Sequence, residues 1–148
     1  MSANNHDVAI ANTLIATTLD SMEGYRKASE DSHSDKSAFF SQMADERSRV
    51  ASDLQAYVRS AGGDARDDSS VAGATHRGFM NLKEALSSND EKAIVEEVER
   101  GEDYIKGKFE AALKEDDLTP AARAEIEKAY TSVRAGHDRV SAMKHSMQ

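Results

Sequence analysis

Apolar residues in this chain return every three or four positions through four long stretches, the spacing of helices that bury one face. The first covers 7–31, with Val8, Ala11, Ile15, Leu19 and Met22 as its stripe and Leu14, Thr18 and Tyr25 widening it. The second covers 35–61, where Phe39, Met43, Val50, Leu54 and Tyr57 point inward with Phe40, Ala51 and Val58 alongside. A third, over 89–115, buries Ile94, Val98, Ile105, Phe109 and Ala112, and a fourth, over 119–145, buries Ala122, Ile126, Ala129, Val133 and Val140. Between the second and third lies a shorter helical pattern over 70–87, with Val71, Phe79, Leu82 and Leu86 inward.

The breaks carry their own signals. Asp31-Ser32-His33-Ser34-Asp35 ends the first helix and offers N-caps to the second. Gly62-Gly63 is a C-terminal stop, because glycine enters the left-handed region without a Cβ penalty. Ser69 or Ser70 caps the short helix, and Ser88 with Glu91 fits a capping box for the next long one. Thr119-Pro120 reads as an N-cap followed by a first-turn proline. These elements predict one all-α domain over 1–148, made of two helical hairpins joined by a connection that carries the short helix. At a rise of about 1.5 Å per residue, that helix is about 24 Å long and can travel most of the bundle. The third long helix then starts at the same end as the second, which is the course of ferritin-like bundles; an up-down-up-down bundle with a lid helix is the alternative.

Composition narrows the function classes. Charged residues make up 31% of the 148 and hydrophobic ones 39%, with one proline and no tryptophan. Nineteen basic against 27 acidic residues leave a net charge of −8, which repels phosphate backbones and argues against nucleic-acid binding. The absence of cysteine removes disulfides, thiolate metal sites and a cysteine nucleophile. No apolar run approaches the ~20 residues that span a bilayer. Met1 to Asn12 lacks the basic-then-apolar pattern of a signal peptide. The expected setting is the cytoplasm, without membrane contact.

Some polar residues fall on the apolar arcs. At about 100° per residue, Glu102 lies between Val98 and Ile105, and Arg47 lies among Met43, Val50 and Leu54. Arg26 sits near the edge of the first stripe, and His137 falls among Ile126, Val133 and Val140. Glu23 and Glu46 flank their arcs. A buried charge must be paired, neutralised or bound to a metal. Arg47 and Glu102 stand at similar heights near mid-bundle, so a buried polar layer of Arg47, Glu102 and Arg26 is expected, completed by a tyrosine or Glu46. His137 is a further candidate for that layer.

The alternative is a metal site for iron or zinc built from Glu23, Glu46, Glu102 and His137. Di-iron bundles use a Glu from two helices and Glu-x-x-His from the other two. This chain departs from that pattern, with Glu46-x-x-Arg49 and Arg134-x-x-His137 where such pairs would stand. No cofactor is therefore predicted. Gly101, beside Glu102, offers close helix approach or space for a water or ion. His76 on the short helix is expected at the border of its apolar face. No strand precedes a glycine cluster to make a phosphate loop, and no serine stands in a nucleophile elbow.

Several motifs together resemble a known group. Thr18-Leu19-Asp20 with Glu23-Gly24-Tyr25, Ala44-Asp45-Glu46-Arg47, Gly62-Gly63, Ser70-Val71-Ala72-Gly73-Ala74 with His76-Arg77-Gly78, Glu99-Arg100-Gly101-Glu102-Asp103 and His137-Asp138 are similar to those of a bacterial four-helix-bundle family of unknown function, grouped with ferritin-like proteins. The resemblance implies an all-α, ferritin-like four-helix bundle with a short additional crossover helix, and it brings no established activity. The function expected is a non-enzymatic one, through self-association or a protein partner, with stress as a setting. A metal-binding, oxidase-like or metal-handling protein is the rival.

Overall fold

The computed structural model describes residues 5–31, 36–67, 82–88 and 90–147. Every element among them is an α-helix: α1 (Asn5–Asp31), α2 (Lys36–Ser60), α3 (Leu82–Ser88), α4 (Glu91–Leu113) and α5 (Pro120–Ser146). The four long helices lie within two residues of the expected bounds. Of the short helix expected over 70–87, residues 82–87 lie in α3; its first part, with Val71, His76, Phe79 and the Ser69 or Ser70 cap, lies outside the described residues. So does the Ser32–Asp35 break.

The caps explain where the helices stop. Gly62 has φ +85°; its N–H reaches the Arg59 carbonyl and the Gly63 N–H reaches that of Val58, closing the end of α2. A Cβ on Gly63 would stand 2.8 Å from Val8 Cγ1, so this glycine lets α1 approach. Thr119 caps α5 through Ala122 N–H, with Pro120 in the first turn. The cap of α4 differs from the Ser88–Glu91 box: Asp90 accepts from the backbone of Lys92 and Ala93. An aspartate in extended backbone immediately before the helix reaches both donors, so Asp90 takes the cap position.

Contacts at the ends set the directions. At the lower end, where α1 begins, Asn12 bonds Asp64 and Arg66 just beyond α2, and Asp7 bonds Thr119 at the start of α5. At the upper end Lys36, opening α2, pairs with Glu91, opening α4. Hence α1 and α5 run upward while α2 and α4 both run downward. The up-down-up-down alternative does not have this course.

Two apolar clusters fill the interior. The lower one draws on all four long helices, including Leu14, Ile15, Leu54, Ile105, Phe109 and Ile126. The upper contains Tyr25, Phe40, Met43, Leu86, Ile94, Val98 and Val140. In α2, Phe40 is buried and Phe39 half-buried, the reverse of their expected order. The helix is turned so that Phe40, Met43, Arg47, Val50 and Leu54 share the inner face. Residues 14–21 of α1 are all buried, because this helix packs against every other described helix. No described helix is long and apolar enough to cross a membrane.

Candidate functional site

Where the two apolar clusters meet, the inner faces of all four long helices turn polar at one level. Arg47 comes from the middle of α2, Glu102 from the middle of α4, Ser21 and Tyr25 from successive turns of α1, and the Val133 carbonyl from α5. Arg47 is 1% exposed and Glu102 is 0% exposed. The pair is joined side by side, with Nη1 donating to Oε2 at 2.7 Å and Nη2 to Oε1 at 2.8 Å. Such two-point contact matches the planar guanidinium to the carboxylate and is the strong form of ion pair.

The remaining capacity is also used. Arg47 Nη1 donates to Ser21 Oγ at 2.9 Å, and Nη2 donates to the Val133 carbonyl at 3.3 Å. The Tyr25 hydroxyl donates to Glu102 Oε2 at 2.6 Å, and the Tyr25 ring centroid lies 5.7 Å from the guanidinium carbon. Burial, then the neighbouring Glu102 carboxylate, holds the Tyr25 phenol well above its ordinary range. For Arg47 burial opposes the charge, but Glu102 and Tyr25 outweigh it and the guanidinium is held above its usual value. The layer is therefore an ion pair with a neutral phenol as third member.

Gly136 makes the space. A Cβ there would lie 2.6 Å from Arg47 Nη2 and 2.7 Å from Met43 Cε. Its position on the Val133–Val140 arc is visible in the chain, but nothing in the spacing says that an arginine from α2 must pass over it. Ser21 was missed for the same reason, while the tyrosine expected to complete the layer is Tyr25. Gly101, singled out beside Glu102, is buried.

The other candidates go elsewhere. Arg26 is exposed; Tyr25, one residue earlier, takes the inward slot and turns Arg26 about 100° away. Glu23 is exposed as well. Glu46 faces α5, where Arg139 grips it at 2.5 and 2.8 Å. That hydrogen bonding, against a smaller opposing effect of burial, lowers the Glu46 pKa. His137 is on the flank of α5, since Gly136 occupies the inner arc; its Nε2 lies 2.7 Å from Asp103 Oδ1 and its Nδ1 3.5 Å from Asp138 Oδ1. Glu23, Glu46, Glu102 and His137 thus do not converge. Among the described residues no three His, Asp or Glu side chains gather as a metal site would require.

Three buried acids were not anticipated: Asp20, Glu97 and Asp7. Glu97, 5% exposed, has Arg100 at 3.3 Å. Asp7, 0% exposed, accepts from Thr119 N–H at 3.2 Å and Thr119 Oγ1 at 2.6 Å. Asp7 lies in the first turn of α1, and its second task depends on where α5 begins in space.

Residues 8–115 match a family described as a domain of unknown function, DUF2383. None of the curated proteins matches the chain.

Proposed function

We propose that this chain, which belongs to the DUF2383 family, acts as a non-enzymatic cytoplasmic helical bundle, through self-association or a protein partner, in a stress setting. The observation behind this proposal is the closed bonding of the central layer. Both Glu102 oxygens receive donors from Arg47, and one also receives the Tyr25 hydroxyl. Groups saturated in this way hold helices in register and leave no open coordination position for a substrate or ion. The parallel course of α2 and α4 supports grouping the chain with ferritin-like bundles. Its interior differs from theirs in carrying a guanidinium beside the carboxylate. Contact with other molecules then falls to the outer surface.

The test combines two measurements on protein purified without a histidine tag. Elemental analysis after iron or zinc exposure is expected to give well below one equivalent, with no change in Glu102→Gln. Light scattering is expected to give a defined oligomer, or a monomer that forms a stable complex with a captured partner. Stoichiometric iron or zinc that Glu102→Gln abolishes would replace this proposal with a metal-handling role. A monomer at every concentration with no partner would remove the interaction role.

A further inference from the structure

The upper part of α5 is held differently from the lower part. Below the central layer, α5 contributes Ala122, Ile126, Ala129 and Val133 to the lower apolar cluster. Above the layer, among the described residues, α5 contributes only Val140 to the upper cluster. Among the described residues, what joins this upper stretch to its neighbours is mainly charge. Arg139 grips Glu46 of α2, and Lys144 Nζ lies 2.8 Å from Glu99 of α4. Glu96 and Asp103 of α4 add attraction at Lys144.

These pairs are not sealed from water. Side-chain exposures are 39% and 19% for Arg139 and Glu46, and 30% and 20% for Lys144 and Glu99. Partly exposed pairs are screened by salt and contribute well under the burial of a large apolar side chain. By contrast, the ties of the lower part of α5 include backbone acceptors and a neutral donor. Arg123 donates to the Leu113 and Glu115 carbonyls, and the Tyr130 hydroxyl donates to Glu110. The Arg47–Glu102 layer is fully enclosed, so salt does not reach it.

We infer that the C-terminal stretch of α5, from about residue 138, is an arm latched by the Arg139–Glu46 and Lys144–Glu99 pairs, which swings away from the upper apolar cluster at high ionic strength while the rest of α5 stays packed. Opening would lift Val140 from the upper cluster. A helix end frays whatever its pairs do, so the informative quantity is the response to salt and to loss of a pair, not the resting rate.

Hydrogen exchange on the full chain at about 0.02 M and about 0.5 M NaCl tests this. Peptides covering 138–146 are expected to exchange about threefold faster or more at high salt, with 122–133 unchanged. At low salt Arg139→Gln should reproduce that acceleration. Lys106→Gln, which removes the same charge from a pair within α4, should leave 138–146 unchanged. Equal responses in both parts of α5, no response in Arg139→Gln, or the same acceleration in Lys106→Gln would each overturn the latch.

Discussion

Arg47 is stable in the interior only because Glu102 is opposite, so removing either charge alone exposes the cost of burying the other. Arg47→Met is expected to lose about 3–5 kcal/mol of unfolding free energy, and Arg47→Met/Glu102→Leu to regain most of it. Urea unfolding of the single and double variants measures both. Gly136→Ala should also destabilise, although alanine is the better helix former by about 1 kcal/mol. Its Cβ would meet Arg47 Nη2 at 2.6 Å and Met43 Cε at 2.7 Å, and a clamped guanidinium cannot move aside cheaply. A net loss of about 1–3 kcal/mol is expected from such overpacking. At this scale the Arg47–Glu102 match was legible, because each lies on its own helix's apolar arc at mid-height. Ser21 and Gly136 were not, since their importance comes from the reach of a side chain on another helix.

Along the elements, glycines again separate local preference from packing. Gly107 lies within α4, and a Cβ there would meet nothing within 4 Å among the described residues. Gly107→Ala should therefore stabilise the fold by about 0.8–1 kcal/mol through helix propensity alone, seen as a higher urea midpoint. Asp7 shows the opposite situation. It sits in the first turn of α1 yet satisfies the start of α5 through Thr119. Asp7→Ala removes the carboxylate that both groups donate to at this half-buried helix start and should cost about 1–3 kcal/mol in the same assay. Helix positions followed the periodicity closely. The local differences, Asp90 as cap in place of Ser88 and, in α2, Phe40 and Val58 inward in place of Phe39 and Tyr57, come from helix rotations and starts of one or two residues.

For the whole molecule, the central layer ties stability to alkaline pH. Burial, and then Glu102, raises the Tyr25 pKa well above the ordinary phenol value of 10.0. A folded-state pKa raised above the unfolded one gives stability that is complete below that ordinary value and lost as pH climbs past it. Tyrosinate absorbance and helical circular dichroism followed together in alkali should show one phenol ionising only as the helices melt, and Tyr25→Phe should abolish that linked phase. The all-α class, the four long helices and the Arg47–Glu102 pair follow from the chain alone, because hydrophobic period is local and a buried charge demands its opposite. The parallel course of α2 and α4 and the partners of the flanking charges do not follow from it. One residue turns a side chain by about 100°, so Glu46 meets Arg139 and His137 meets Asp103 instead of joining Glu102. Helix rotation and height, set only when the four faces pack together, made Glu102 one half of a closed pair and kept the other carboxylates away from it.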